Sequence, residues 1–318
     1  MTTRARKPVK RRVSMRTDVV LFGEVLWDFF EVAPGTFTRA IGGASANAAV
    51  ALARSGLTTA LVGALGSDAM GDALVAALAA EGVDTGGIAR LRARTGIVFV
   101  TRSKTGEPTF ANYRAASADR LITRAHVLSA TPSAAWAVVS SSAAAPAAVF
   151  ARRARTLGAA FAVDVNARPH LAPSRRALQD AVAEMVEHAD LVKASSSDLD
   201  ALVSPARAGD EAAALRWLAA RAPGATILIT RGGGPATCTG AHGRVERPAI
   251  APRARVLDAT GAGDAFLAGV LSVLVRGGAK PGTAAWSDAG IWTQALEVGH
   301  TLGKQAVSRV GAVARREH

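Results

Sequence analysis

"ATGAGDAF", Ala259–Phe266, is the stretch of sequence that decides the fold. Small side chains leave the backbone amides of Gly261, Ala262 and Gly263 uncovered, and the apolar run that follows predicts a helix. The first amides of a helix have no internal partner and the helix dipole adds positive potential, so this turn predicts an anion site. Asp264 lies beside it, where a carboxylate can take a proton from a hydroxyl group. The alternative is a glycine-rich turn with an ordinary helix-start acid.

A second glycine pair precedes a predicted helix in "IGGASANAAVALARSG", Ile41–Gly56. Gly42 and Gly43 let a ligand approach the backbone closely. Asn47 offers both hydrogen-bond donors and an acceptor, which suits a ligand with many hydroxyl groups. The alternative for this stretch is a tight packing turn between a strand and a helix.

Together the two runs resemble the two signature motifs of the ribokinase-like sugar kinases, the PfkB family of carbohydrate kinases. The resemblance extends from about Val19 to Ala314. It includes, in the family's order, "GEVLWDFFE", "GALGSDAMGDALVAALAAEGVDT", "DVNARPHL", "VLDATGAGDAF" and "AVSRVGA". It implies an α/β fold, with a doubly wound, mostly parallel sheet flanked by helices and a small β-sheet lid over the sugar. It also implies an ATP-dependent transfer of the γ-phosphoryl group to a sugar hydroxyl.

Short apolar segments alternate with longer helical patterns, which independently predicts a parallel sheet covered on both faces. The predicted strands are Val19–Phe22, Thr59–Val62, Ala137–Val139, Ala160–Val165, Leu191–Val192 and Thr226–Thr230. The predicted helices are Ala46–Arg54, Asp72–Ala80, Ala145–Leu157, Ser174–His188, Asp198–Leu202 and Asp210–Ala222, followed by helical stretches from Asp264 through Leu274 and from Ser287 to Lys304.

The domain organisation predicted from these patterns is one kinase domain with two tails. Residues 1–17 form a basic tail that we expect to be disordered, residues 18–314 the kinase domain, and residues 315–318 a C-terminal tail. Segments at about 31–40 and 94–114, the second with a turn at Ser103–Glu107, are assigned to the lid. The alternative is a pair of surface hairpins without function.

The net charge of +13 raises the question of nucleic-acid binding. Seven basic residues and no acid lie within the first 17 positions, which leaves +6 for the rest of the chain. With nine Phe, five Trp and one Tyr, no platform for stacking bases is evident. The composition therefore argues against nucleic acid as a partner. A nucleic-acid-binding protein on an inactive kinase fold is the alternative from another functional class.

The sequence also predicts where the protein works. No apolar run reaches the roughly 18 residues that a membrane span needs. The basic N-terminus lacks the apolar segment of a secretory signal. The single cysteine, Cys238, excludes an internal disulfide and fits a reducing compartment. We therefore expect a cytoplasmic protein.

The resemblance assigns residues to the sugar side of the site. Asp28, Gly42, Gly43 and Asn47 would bind the sugar, and Tyr113 and Arg114 of "NYRAASA" would extend over it from the lid. Arg168 of "DVNARP" would contact the transferred phosphoryl group or an acidic group of the substrate, because a guanidinium pairs with either through two bonds. A structural salt bridge between Asp164 and Arg168 is the alternative there.

On the nucleotide side, "LVKASSSDLDAL" carries Ser195 and Asp198 where the family usually carries Asn and Glu three residues apart. The resemblance implies that Ser195 contacts the nucleotide and that Asp198 holds Mg²⁺ through water. The alternative for Asp198 is a helix-start acid.

Other nucleotide-side assignments come from the end of the chain. Thr230 and Gly232 match the family's nucleotide loop, although Pro235 stands where Gly is usual, and Gly261 and Gly263 would contact phosphate. His300 lies about where an adenine-side Asn is found in the family, although a lone His is more often an ordinary surface or core residue. Asp258 and Thr260 match a monovalent-cation site, so K⁺ is expected beside ATP and Mg²⁺.

The substrate is the finer question. "GEVLWDFF", "DVNARPHL" and "NYRAASADRL" are most similar to bacterial fructokinases, which makes fructose the first expectation. "NYRAASA" also resembles 2-keto-3-deoxygluconate kinases, and ribokinase or nucleoside kinase are further alternatives. The expected partners are the sugar and ATP, together with a second copy of the chain bound through the lid.

Overall fold

Two β-sheets of unequal size form the molecule in this computed structural model, which describes residues 17–102, 108–140, 146–203, 209–251 and 259–308. The strands are β1 Thr17–Phe22, β2 Leu26–Ala33, β3 Thr36–Gly42, β4 Thr59–Gly66, β5 Val83–Leu91, β6 Ile97–Arg102, β7 Pro108–Tyr113, β8 Ala134–Ser140, β9 Ala160–Asp164, β10 Leu191–Ser195, β11 Thr226–Thr230, β12 Ala236–Gly240 and β13 Gly243–Arg247. The helices are α1 Ala44–Arg54, α2 Ala69–Ala80, α3 Arg124–Ala130, α4 Pro146–Thr156, α5 Arg175–Val186, α6 Ser196–Leu202, α7 Glu211–Ala219, α8 Ala262–Arg276 and α9 Ala289–Val307.

The large sheet has the strand order β13-β12-β11-β10-β9-β8-β1-β4-β5. Every neighbouring pair from β11 to β5 is parallel, and only β12 and β13 at one edge are antiparallel. The chain runs from β1 to β4 on one side and returns to β8 on the other. This reversal of strand order beside β1 is where open α/β sheets form a ligand crevice, at the carboxyl ends of the strands.

Helices cover both faces of the large sheet, as the buried strands require. One apolar cluster joins β1 and β4 to α1, α2, α8 and α9 and contains Trp136 and Trp292. A second cluster on the opposite face joins the same sheet to α3 to α7 and contains Phe150 and Phe161. The result is a three-layer α/β/α arrangement. None of the helices in the described part of the chain has the length and apolar character that a membrane crossing needs.

The small sheet has the order β3-β2-β6-β7, and we call it the lid sheet. Strands β2 and β3 are antiparallel, as are β6 and β7, and β2 and β6 are parallel. Leu26, Phe30, Val98 and Val100 form a small apolar cluster of their own on it. Strands β2 and β3 of the lid sheet lie in the chain between β1 and α1, so this half of the sheet is tied to the carboxyl-end crevice at both ends, and β6 and β7 join it after β5.

The fold class predicted from the sequence is confirmed, with several corrections to its elements. The small sheet begins at Leu26 rather than near residue 31, because residues 26–30 pair with β3 and residues 27–30 also pair with β6. Strands β5, β12 and β13 and helix α3 were not predicted. The predicted turn at Ser103–Glu107 and the tail residues 1–16 lie outside the described residues. Thr17, placed in the tail by the sequence, belongs to β1 and pairs with Ala134.

Candidate active site

Helices α1 and α8, which follow the two glycine motifs, begin without a side-chain cap. Six other helices have one, from Asp68, Thr123, Ser174, Ser195, Asp210 and Asp288. Gly261, the residue before α8, adopts a left-handed conformation with φ of +76°, which glycine tolerates best. An uncapped N-terminus leaves amides available to an anion, as the sequence predicts here.

Not all of the predicted amides are equally available. The amide of Ala262 donates to the carbonyl of Ala259 at 3.2 Å, which closes the turn before α8. Within the described residues, the amides of Gly261 and Gly263 make no such bond. Among the described residues, two of the three amides predicted to form the anion site are therefore free of backbone hydrogen bonds.

Asp264 and Asn47 connect the two motifs directly, although they lie 217 positions apart in the chain. The Asn47 Nδ2 donates to Asp264 Oδ2 at 3.0 Å, and both side chains are buried. The opposite amide orientation would place Oδ1 against the carboxylate and is disfavoured by charge. Asn47 Oδ1 is then a buried acceptor with no partner among the described residues. An acceptor of this kind is available to a hydroxyl group of a ligand.

Asp264 has the ionisation behaviour of a general base. Burial raises its pKa to about 6, and the nearby Asp164 carboxylate adds to the rise. The Asn47 hydrogen bond and the cations of Lys193 and Arg168 oppose it. A pKa close to the working pH suits proton transfer, because the group is ionised yet still basic.

Asp28 lies on β2 of the lid sheet rather than in a loop after β1, and it is buried. It pairs with Ala40 in the β2–β3 ladder, two residues from Gly42. A Cβ built on Gly42 would lie 2.5 Å from a carboxylate oxygen of Asp28, so Gly42 makes room for this acid.

Gly43 is where the chain turns from the lid into α1. Its φ of +94° is one that side-chain-bearing residues rarely adopt, and a Cβ there would lie 2.4 Å from the carbonyl oxygen of Glu24. The backbone after β1 and the start of α1 are therefore in close contact, which brings the Asp28 and Asn47 segments together.

Arg114 is buried between two acids. Its Nη1 lies 3.1 Å from Glu24 Oε1, and its Nε donates to Asp119 Oδ2 at 3.2 Å, with Nη2 on the same oxygen. Burial opposes its charge, but Glu24 and Asp119 outweigh that effect and raise the pKa of Arg114 further. Tyr113, predicted to reach the sugar with Arg114, is 68% exposed and packs edge-on against Phe99 of β6.

Arg168 follows β9 in a strained loop. Asn166, two residues before it, has a φ of +38°, which is unusual for a residue other than glycine. Such strain is often found at functional sites. Burial raises the pKa values of Asp164 and Asp264, and the charge of Arg168 opposes the rise in both, so the guanidinium lies within electrostatic reach of the two carboxylates.

Ser195 and Asp198 form a capping box at the start of α6. Asp198 Oδ1 accepts from the amide of Ala167, and Oδ2 accepts from both the amide and the hydroxyl of Ser195. These bonds fasten α6 to the loop that carries Arg168. They occupy the carboxylate that the resemblance assigns to Mg²⁺, so any contact with the ion would run through water.

The remaining residues predicted to bind the nucleotide lie at the end of β11, in the turn after it and on α9. Thr230 ends β11, and Gly232 follows in a turn with φ of +56°. His300 of α9 is buried, with Nε2 3.2 Å from the carbonyl of Arg247 and its ring edge-on to Phe266. Burial lowers its pKa despite the contact with Arg247.

The predicted monovalent-cation site is only partly described. Asp258 lies outside the described residues, and Thr260 lies in the turn before α8. In the described part of the chain, no cluster of three or more His, Cys, Asp or Glu side chains forms a ready-made metal site. A magnesium ion carried by nucleotide phosphates needs only one or two carboxylates and water, and Asp198, which lies close enough to Lys193 to act on its charge, supplies one.

Two residues of the site were missed from the sequence. Lys193 is buried on β10, and its Nζ contacts both carboxylate oxygens of Asp164 at 2.9 and 3.1 Å. Glu24 holds Arg114. A charged residue inside a strand that is otherwise apolar and covered on both faces was the available signal for Lys193.

A family model described as "pfkB family carbohydrate kinase" matches residues 16–317. The chain belongs to this family. As a PfkB carbohydrate kinase it is an ATP-dependent enzyme that phosphorylates a sugar, so the family predicted from the two glycine motifs is confirmed.

Several members of the family are similar over most of their length. Fructokinase-1 of Oryza sativa subsp. japonica is 34% identical over 273 residues, which cover 81% of this chain and 83% of the rice protein. A fructokinase from Xylella fastidiosa, solved with bound ATP, is 32% identical with a TM-score of 0.76, covering 92% of this kinase and 93% of that chain. A fructokinase double mutant from Vibrio cholerae O395, solved with fructose, ADP and potassium, is 25% identical with a TM-score of 0.80, covering 95% of both.

Proposed function

We propose that this kinase is a fructokinase in which Asp264 is the general base. The observation that carries the base assignment is the buried Asn47–Asp264 contact at the uncapped N-terminus of α8. It places a carboxylate with a raised pKa beside unengaged amides. A base and an anion site in contact are what phosphoryl transfer to a hydroxyl group requires.

In the proposed reaction, Asp264 accepts the proton of the sugar hydroxyl as that oxygen attacks the γ-phosphorus and the bond to ADP breaks. Oδ2 is held by Asn47, while Oδ1 has no partner among the described residues and is free to accept the proton. The amides of Gly261 and Gly263 stabilise charge on the transferring group, and Arg168 adds a cation. Most of the rate acceleration comes from positioning and electrostatics.

Sugar binding falls to the residues that surround Asn47. Asp28 accepts hydrogen bonds from two neighbouring hydroxyls, and Asn47 Oδ1 accepts a third. Gly42 and Gly43 keep the backbone close to the ligand. Mg²⁺ would neutralise charge on the phosphates, with Asp198 as a water-mediated ligand, and K⁺ would bind near Asp258 and Thr260.

The preference for a neutral sugar rests on the surroundings of Arg114. Its guanidinium is paired with the carboxylates of both Glu24 and Asp119. A guanidinium engaged in this way is less available to the carboxylate of a sugar acid, which favours fructose over 2-keto-3-deoxygluconate. The fructokinase names of the rice and Xylella relatives support the same substrate.

The test is a panel of fructose, ribose and 2-keto-3-deoxygluconate in a coupled ADP assay. We expect fructose to have the highest kcat/KM, and Asp264→Asn to lose about 10²–10⁴-fold in kcat. Asp72→Asn is the matched control, because Asp72 lies in the first turn of α2 but is exposed on the surface beside Arg90. If Asp264→Asn keeps more than about a tenth of the kcat, Asp264 is not the base.

The same panel tests the substrate. Arg114→Ala should cost fructose about tenfold or slightly more in kcat/KM, since a neutral sugar forms no charge pair with Arg114 and loses only the hydrogen bonds and packing that Arg114 supports. Best turnover on 2-keto-3-deoxygluconate, abolished by Arg114→Ala, would replace fructose with a sugar acid and leave the kinase reaction intact.

A further inference from the structure

A buried lysine lies against the first turn of α8. Lys193 is 4% exposed on β10, directly opposite Asp164 of the neighbouring strand β9. A Cβ built on Gly263 would lie 2.9 Å from the Lys193 Nζ. The ammonium group therefore fills the space beside the anion-binding turn that a side chain at position 263 would occupy.

This is an unfavourable place for a cation that serves only to hold strands together. The N-terminus of a helix carries positive potential, which repels an ammonium group. Burial adds a desolvation cost, and a buried ion pair is rarely more stabilising than apolar residues of the same volume. Asp164 offsets part of these costs through two hydrogen bonds to Nζ. The position of Lys193 indicates that its charge acts on a further anion.

The charged groups around Lys193 identify that anion. Carboxylates face it from three elements, namely Asp164 of β9, Asp198 of α6 and Asp264 of α8. Burial opposes the charge of Lys193, but these carboxylates outweigh burial and raise the pKa of its ammonium. Arg168 is the other cation that acts on Asp264, and the neutral Asn47 of α1 completes its surroundings. The cluster has three negative and two positive groups, so without Lys193 a single cation would face three carboxylates.

We propose that Lys193 is a positioning residue of the kinase reaction, whose fixed ammonium keeps Asp264 ionised as the base and adds positive charge behind the amides of Gly261 and Gly263. The proposal rests on the role of Asp264 given above. The Lys193 proton does not move in the reaction. The sugar proton passes to Asp264, the sugar oxygen bonds to phosphorus, and ADP leaves with its electron pair.

The two members of the ion pair should act on Asp264 in opposite directions. Removing the Lys193 charge makes the carboxylate of Asp264 harder to form, whereas removing the Asp164 charge makes it easier. A pair that served only to join β9 and β10 would behave differently. Either substitution would then lower stability, and neither would move the ionisation of the base.

The experiment compares the pH dependence of kcat/KM for fructose in the wild type, Lys193→Met and Asp164→Asn at saturating Mg·ATP. The acidic limb of the wild type should lie near the Asp264 pKa of about 6. Lys193→Met should move the limb up by about one pH unit, which lowers kcat/KM about tenfold at pH values below both limbs. Asp164→Asn should move it down. The titration of ATP is common to all three proteins and cancels in the comparison.

Thermal melts and Lys193→Arg complete the design. Lys193→Arg keeps the charge, so its limb should stay within about 0.3 pH units of the wild type even if its kcat falls. If Lys193→Met does not fold, the downward shift in Asp164→Asn decides, and an unmoved or raised limb overturns the proposal. If the acidic limbs coincide in all folded variants while Asp264→Asn is inactive, the Lys193 proposal is wrong and Asp264 remains the base. If Asp264→Asn is active, Asp264 is not the base, and the Lys193 proposal is wrong as well.

Discussion

At Asp264, the protonation state that favours folding differs from the one that the proposed reaction needs. Its pKa in the folded protein, about 6, lies above the value of 3.8 for an unburied Asp, mainly because of burial. Folding therefore favours the protonated form, while the proposed reaction needs the ionised one. The stabilisation from this group is complete below pH 3.8 and is lost as the pH rises through about 6.

Asp264→Asn should consequently be more stable than the wild type at pH 8, because a neutral amide carries no charge to desolvate. The gain should approach zero near pH 4 and reach its full value above pH 6, with an upper bound on the order of 3 kcal/mol. Thermal melts across this range measure it, and Asp72→Asn should show no comparable trend. A variant that is less stable at pH 8 than the wild type would contradict the assigned burial cost.

A substitution of Asp28 should change the KM for fructose without changing the KM for ATP. Asp28→Asn keeps the shape of the side chain over Gly42 but removes the charge that the proposed sugar hydroxyls bind. Hydrogen bonds to a charged group contribute about 1.5–3 kcal/mol, so KM for fructose should rise about tenfold or more while KM for ATP stays unchanged. Glu31→Gln, on the opposite face of β2, is the control and should alter neither constant. Equal increases in both KM values would contradict the sugar-side role.

At the scale of single residues, the sequence revealed what is local. Gly43, Asn47, Gly261 and Asp264 lie in short motifs whose turn chemistry can be read directly. The partners of Arg114 and Lys193 could not be read in this way. Glu24 is 90 positions before Arg114, and Asp164 is 29 positions before Lys193, so only the folded chain brings them together, through the pairing of β9 with β10 in the case of Lys193.

At the start of helix α6, two residues that resemble a ligand site, Ser195 and Asp198, bond to each other and cap the helix. The Ser195 hydroxyl donates to Asp198, accepts from the Asp198 amide and contacts Ser197, which satisfies it within the protein. Ser195→Ala should cost about 1 kcal/mol of stability through the lost cap and change KM for ATP by less than about threefold. Ser174→Ala removes the equivalent cap of α5 and is the matched control. A large rise in KM for ATP confined to Ser195→Ala would restore its predicted contact with the nucleotide.

The elements that the sequence predicted are those in which apolar residues follow each other or recur in a clear pattern. Apart from the edge strand β5, the parallel strands of the large sheet read as buried apolar runs, and the helices between them as amphipathic repeats. Residues 26–30 of β2 were missed because "LWDFFE" has no clear alternation, and the strand is defined by its hydrogen bonds to β3 and β6. The antiparallel strands β12 and β13 contain Gly, Thr, Arg and Glu, which are equally typical of loops.

On the scale of the whole molecule, alternation along the chain predicts a parallel sheet but not the order of its strands. The order follows from which strands pair on either side of β1, and this reversal creates the crevice where the two motifs meet. The lid sheet then contributes Asp28 from above the crevice. The active site is thus a product of topology, and local sequence supplies only its parts.

The lid sheet also has a surface that suits a second copy of the chain. Its edge strand β7 carries Phe110, 48% exposed, and Tyr113, 68% exposed, and Val32 at the end of β2 is 58% exposed. An edge strand with apolar side chains is a ready template for pairing with another chain. We propose that the kinase forms a homodimer through this sheet, as the resemblance to the family implies.

Light scattering coupled to size-exclusion chromatography measures this directly. The wild type should have twice the mass of one chain, and Phe110→Arg should shift it toward one, because a charge at the edge of β7 opposes pairing. Leu128→Arg is the matched control, since Leu128 is an exposed apolar residue on α3, outside the lid sheet, and the variant should remain a dimer. A monomeric wild type would exclude the dimer, and dissociation by Leu128→Arg instead of Phe110→Arg would move the interface from the lid to α3.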